Sequence, residues 1–296
     1  MDSSVTVKYK NSKGRELVLS RAWPFVLESV SGFGMPENAI TSTKLYGLDG
    51  EVKLMSSLNS RLLQVNGVIF AETYEELQTA KIDSISILNP RLSGTLSIEQ
   101  HDKRYEIDVE LIKGIDEGDD NGTTWQQLVL QFNALDPYWR NVSDYHTDIN
   151  LSTRVDEWEF PLDIEDGFEF ATVDTGIITT IVNDGDTDTG AIYTMTFGKT
   201  VTNPKIYNVL TQEFMGMKGD YSAGDKIVIS TMRDNFFIKY YISMFGGAEV
   251  NGMPYRTIGS SFMQLKQGYN SLQVQADSGV DGLFVSVKFT PLVLGV

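Results

Sequence analysis

The run Trp125–Phe132, WQQLVLQF, constrains this chain more than any other feature because of how it ends. Leu128, Leu130 and Phe132 recur at every second position, the period of a strand with one buried face. The run then meets Asp136-Pro137, followed at once by Tyr138 and Trp139. Proline offers no N–H to a ladder and biases its predecessor towards extended or turn geometry, so the strand must stop there. Two large aromatics after the stop bury apolar area at the base of the domain, each worth about 2–3 kcal/mol when fully covered. Asp136, Pro137, Tyr138 and Trp139 therefore read as a structural motif that staples the end of a first domain. A length of 296 residues exceeds the usual single core. Two domains are expected, residues 1–142 and 143–296, with the boundary falling between about 141 and 156.

Before the break the pattern is strands with one helix. Val5, Val7 and Tyr9 alternate with polar residues, and NSKG at 11–14 turns the chain into Leu17–Leu19. The Gly- and Ser-rich passage 29–60, with SGFGMP and GLDGE, shows no sustained period. A passage of that length inside a domain reads as an excursion that contacts a neighbour rather than as a connector. RLLQVNGVIF, residues 61–70, reads as a strand. Thr73 and Glu76 have capping-box spacing. Beyond them Leu77, Ala80, Ile85, Ile87 and Leu88 share an arc of about 160° at ~100° per residue, with Ile82 outside it. Asn89-Pro90 ends that helix. A hairpin follows, Leu96 and Ile98 on one arm and Tyr105, Ile107, Val109 and Leu111 on the other, with QHDK between them.

After Asn141 the pattern is all-β. Strand-like segments at 157–170, 191–198, 225–231, 235–244, 270–277 and 282–296 are separated by Gly, Asn and Asp turns, the rhythm of a β-sandwich. No fixed-period repeat or low-complexity segment is present.

Composition excludes several function classes. The net charge is −16, with 14 basic and 20 acidic side chains in residues 1–142 and 10 and 20 in the remainder. That balance argues against nucleic-acid backbone binding, which needs clustered Lys and Arg. With no cysteine there is no disulfide and no thiolate site. No run approaches the roughly 18 apolar residues of a membrane span. The start, MDSSVTVKYK, lacks a secretory h-region, and synthesis in a cytoplasm is the expectation.

Chemical motifs fail on inspection. Asp184, Asp186 and Asp188 alternate as in a calcium loop, but Thr189 stands at the required glycine and Met195 at the required glutamate. An Asp- and Gly-rich turn is the better reading. His101 lies in a turn and reads as a solvated loop residue. Glu157 with Glu159, and Glu106 with Asp108, could be offered as glycosidase pairs, but alternate strand positions of this kind are ordinarily a solvated face. No catalytic, cofactor-binding or metal-binding residues are assigned, and no cofactor is expected.

The order of motifs carries a resemblance. ILNPRLSGTL (87–96), KRYEIDVE (103–110) and WQQLVLQFNALDPYW succeed one another. The second half adds NDGDTDTGAIYTMTFGKTVTNPKIYN (183–208), SSFMQLKQGYNSLQVQAD (260–277) and the closing FTPLVLGV. This succession resembles the distal tail protein (Dit) family of siphophages, over nearly the whole chain. The resemblance implies a mainly β protein: an N-terminal β-sandwich or split-barrel-like domain with one α-helix, then a C-terminal galectin-like β-sandwich. It implies a structural virion protein of the phage tail tip and baseplate, not an enzyme. Its first domain would form a homohexamer ring joining the tail tube to the tail-associated lysin or central fibre protein. A receptor-binding protein is a further partner, and DNA would pass through the ring without specific binding. The competing reading is a carbohydrate-binding module or adhesin, since aromatic residues make up 11% of the chain. Strand-spaced aromatics are more often core, and the galectin polar constellation is missing, so this ranks second.

Overall fold

The computed structural model describes all residues except 1–4, 48, 116–121, 144–145, 153, 156–171 and 174–177. The strand expected at 157–170, with Glu157 and Glu159, lies outside the described residues. The chain divides into two compact units, Met1–Ser143 with Leu292–Val296, and Asp144–Pro291. The last five residues thus belong with the first unit, not with the second half where sequence order places them.

The first unit contains β1 (Thr6–Asn11), β2 (Glu16–Leu19), β3 (Phe25–Ser31), β4 (Asn38–Thr43), β5 (Val52–Leu58) and β6 (Arg61–Phe70). Helix α1 (Tyr74–Ile87), β7 (Gly94–Gln100), β8 (Lys103–Lys113), β9 (Trp125–Ala134) and β10 (Trp139–Asn141) follow. The main sheet runs β2-β1-β7-β8-β9-β6-β3, each neighbour antiparallel. Its two ends meet at Ser20, whose N–H donates to Phe25 O (3.1 Å) and whose carbonyl accepts from Leu27 N–H (2.7 Å). The sheet closes on itself as a barrel, which removes its edges. Alternate residues point inward, so Val7, Tyr9, Leu63, Val65, Leu128, Leu130 and Phe132 build one core, and the Tyr9 and Phe132 rings lie 5.2 Å apart.

Helix α1 starts as its sequence demands. Thr73 Oγ1 accepts from Glu76 N–H, while Glu76 Oε2 accepts from Thr73 N–H, both at 3.3 Å. Its inward face differs from the expected arc. Leu77, Lys81, Ser84 and Leu88 are buried, whereas Ile85 and Ile82 are exposed. Ser84 can face inward because its hydroxyl donates to Ala80 O at 2.7 Å, which satisfies it within the helix. The apolar arc therefore misjudged Ile85.

The second unit is a two-sheet sandwich. A six-stranded sheet orders His146–Asn150, Leu283–Phe289, Ala191–Phe197, Lys226–Met232, Asn235–Ile242 and Ala248–Asn251. A four-stranded sheet orders Ile178–Asn183, Gly268–Gln275, Lys205–Asn208 and Phe214–Gly216. Tyr193, Ile227 and Val285 of the first share one core with Ile181, Ile206 and Leu272 of the second. The mainly β architecture with a helix in the first unit is as the sequence led us to expect. Among the described residues no helix is long and apolar enough to cross a membrane.

A candidate assembly arm and its root

The described residues of the passage 29–60 include regular strands. They hold the end of β3 and then the hairpin β4–β5, paired from Asn38↔Leu58 to Thr43↔Val52 with a register shift after Thr41. Ser56 Oγ donates to Asn38 Oδ1 at 2.7 Å, Ser42 Oγ donates to Glu51, and Asn59 N–H closes the base on Glu37 O at 3.0 Å. The hairpin forms a sheet of its own, outside the barrel. Ile40, Val52, Leu54 and Met55 are exposed, as are Leu45 and Tyr46 in its turn. None belongs to either core. The absence of period is now explained: with both faces in solvent, no alternation is selected. An isolated two-stranded hairpin is marginal in water, and clustered exposed apolar side chains mark an interaction surface. The hairpin is therefore a candidate interaction arm.

The arm leaves the barrel at Phe33-Gly34 and returns at Arg61. Gly32 has φ +81°, and a Cβ there would collide with the Leu62 carbonyl, so SGFGMP serves a close backbone crossing. Phe33 is buried against Trp139. Arg61, 4% exposed, donates through Nη1 to Gly34 O (2.9 Å) and through Nη2 to Leu294 O (2.6 Å). Sequence reasoning missed Arg61, since a lone strand-initial arginine carries no local signal of burial.

Trp139 is fully buried, Tyr138 half-buried, and Asp136 Oδ1 accepts from Tyr138 N–H at 3.2 Å, a local turn that aims the indole inward. Trp139 pairs with Val293 and Arg140 with Leu292, so β10 lies between β8 and the chain's last strand.

The other candidates are engaged in structure. Glu106 accepts from Arg104 Nη2 (2.6 Å), and Asp108 takes a two-pronged bond from Arg140 (2.6 and 2.7 Å). The Arg140 hydrogen bond holds the Asp108 carboxyl below its ordinary range, against a smaller opposing effect of burial. That is the reverse of what a general acid needs. Asp188 accepts from Lys266 Nζ (2.8 Å) and Gln267 N–H (3.1 Å), and Asn183 Oδ1 accepts from Gly185 N–H (3.1 Å), an Asx turn. His101 and Asp102 have φ of 50° and 61°, the paired left-handed residues of a tight hairpin turn. In the second unit, the buried Asp225 went unnoticed in the sequence. It accepts from Tyr240 Oη (2.7 Å), Ser222 N–H (3.0 Å), Ser243 N–H (2.8 Å) and Ser243 Oγ (2.9 Å). Burial pushes its pKa up, but these donors together outweigh that and hold the carboxyl below its ordinary value.

Comparisons with known proteins agree with this build. Residues 12–132 match the phage tail protein RIFT-related domain, and residues 184–292 match the siphovirus-type tail component, C-terminal domain. Together they define a structural component of a phage tail. The chain belongs to the distal tail protein family of siphophages. Among solved structures it is similar to the SPP1 Dit (gp 19.1) protein, a hub adsorption apparatus in phages infecting Gram-positive hosts. That match has TM-score 0.65 and 16% identity, over 97% of this chain and 98% of that one. It is also similar to a chain of the phage p2 baseplate in its activated conformation with Sr, with TM-score 0.56 and 11% identity, over 97% and 98%. The same baseplate with Ca matches at TM-score 0.56 and 11% identity, over 98% of each chain. No curated protein matches in sequence.

Proposed function

We propose that the first unit assembles into a six-membered ring by laying its β4–β5 arm on the neighbouring copy. The carrying observation is the arm itself: an ordered hairpin with exposed Ile40, Leu54 and Met55 and no core of its own. A head-to-tail contact of this kind closes into a ring when the rotation per subunit divides a full turn. The number six is taken from the family. The outward stripe of α1, with Tyr74, Ile82 and Ile85 exposed, offers further apolar surface on the same unit.

In this reading the ring joins the tail tube on one face and the tail-associated lysin or central fibre protein on the other. The second unit is a galectin-like sandwich that projects outward, where a receptor-binding protein is a further partner. DNA passes through the ring, and a net charge of −16 keeps a lumen from holding phosphates. The protein has no catalytic role and is made in the host cytoplasm. Native mass spectrometry and negative-stain microscopy test this, with the protein alone and with the tube and central tip proteins. Six-fold particles are expected. A chain that stays monomeric with both partners yet binds a glycan array would overturn the hub reading in favour of a carbohydrate module.

A further inference from the structure

The root of the arm is held by residues 294–296, far along the chain. Arg61 begins β6, where the arm returns, and its guanidinium reaches the outgoing root through Gly34 O (2.9 Å) and, at 3.4 Å, Phe33 O. The same side chain reaches the C-terminal segment through Leu294 O at 2.6 Å. Val296 N–H donates back to Phe33 O at 3.1 Å. Gly295 passes so near Gly34 that a Cβ on it would stand 2.8 Å from the Gly34 carbonyl carbon. Val293 and Val296 pack against the barrel core beside Trp139. Removing Leu292–Val296 would uncover that edge and take away an acceptor of a buried cation, and buried polar groups left unpaired are costly.

We propose that Leu292–Val296 is a clamp on the arm's root, closed through Arg61, so that a copy presents a fixed arm only when that segment is in place. The physical basis is pre-organisation. With the clamp closed the arm leaves the barrel in one direction. With the clamp open the root keeps Phe33 on Trp139 and the Arg61–Gly34 bond but loses its ties to Leu294, Gly295 and Val296, and ordering the loosened root on a neighbour costs conformational entropy. Arg61 is a positioning residue in this scheme, and the scheme rests on the reading of the arm as the subunit contact.

The test compares the full chain with three variants: deletion of 292–296, Gly295→Val, and Arg61→Lys, which keeps the charge but not the fork. Hydrogen exchange is read at the Asn59 amide, which closes the arm's base, and across 32–37; assembly is read by native mass spectrometry with the tip partners. We expect exchange at the root to rise on the order of tenfold or more and assembly to be lost. Protection of the second-unit strand Ala191–Phe197 should remain. If the deletion unfolds the first unit, the two point variants, checked for a cooperative melt, carry the test. Folded variants with wild-type root exchange and wild-type assembly overturn the clamp. A fourth variant, with residues 38–58 replaced by a tight turn, separates the two readings. If it assembles like the wild type, the arm reading fails. If it cannot assemble while the tail variants do, the clamp alone fails.

Discussion

The ring of Phe33 lies 5.1 Å from that of Trp139 at an interplanar angle of 41°, with both side chains buried. One residue is the outgoing root of the arm and the other the end of the midpoint motif. Trp139→Ala is therefore expected to leave a cavity beneath both. The predicted loss is about 3–5 kcal/mol in the first unit, read by equilibrium denaturation. An unchanged midpoint would remove the stapling role from Asp136–Trp139.

Charging the arm should separate stability from assembly. Ile40→Asp and Leu54→Asp replace exposed side chains, so each should change folding stability by no more than about 0.5 kcal/mol. Assembly with the tip partners should be abolished, because an unpaired carboxylate cannot be buried in an apolar contact. Native mass spectrometry and a melting curve on the same samples decide the matter. Intact rings from the double variant would exclude the arm from the interface.

Asp225 predicts the acid behaviour of the second unit. Its pKa is lowered on folding, so its contribution is fully present above the unfolded value of about 3.9. That contribution is lost as pH falls through the lowered folded value. Asp225→Asn should cost about 2 kcal/mol near neutral pH, since an amide cannot accept all four donors. Its denaturation midpoint should also fall less steeply than the wild type's below pH 4, a threshold of roughly the unfolded value. Parallel pH slopes for the two proteins would show that Asp225 does not titrate with folding.

Calcium should leave the melting temperature unchanged. Asp188 of the NDGDTDTG turn already accepts from Lys266 and from the Gln267 amide, and Asn183 Oδ1 holds the turn by accepting from the Gly185 amide. Differential scanning calorimetry with calcium and with a chelator tests this. A melting rise in calcium that Asp188→Asn removes would establish a metal site there.

Local rules were enough for much of the architecture. Thr73 and Glu76 start α1 because a capping box involves only neighbours in sequence. Leu128, Leu130 and Phe132 place β9 because a strand with one buried face writes its period into the chain. Asp136-Pro137 ends that strand through proline's own geometry. The order of these signals, with the closing FTPLVLGV, also carried the family resemblance. The sequence by itself thus determined the type of these elements and the break near the middle of the chain.

Tertiary structure decided the rest, for two physical reasons. Where a segment has no buried face, period disappears, so the hairpin from Asn38 to Leu58 left no trace as strands. The same loss of signal hid which side of α1 faces inward: burial of Lys81 and Ser84 over Ile85 is settled by what the helix packs on, not by its own arc. The second reason is distance along the chain. Arg61 meets the Leu294 carbonyl across 233 positions, and the final strand joins the first unit by pairing with Trp139 and Arg140. Backbone carbonyls are alike at every residue, so no sequence pattern names the one a buried guanidinium will find. Only the closed barrel, by bringing residues 33, 61, 139 and 294 to one place, selects them.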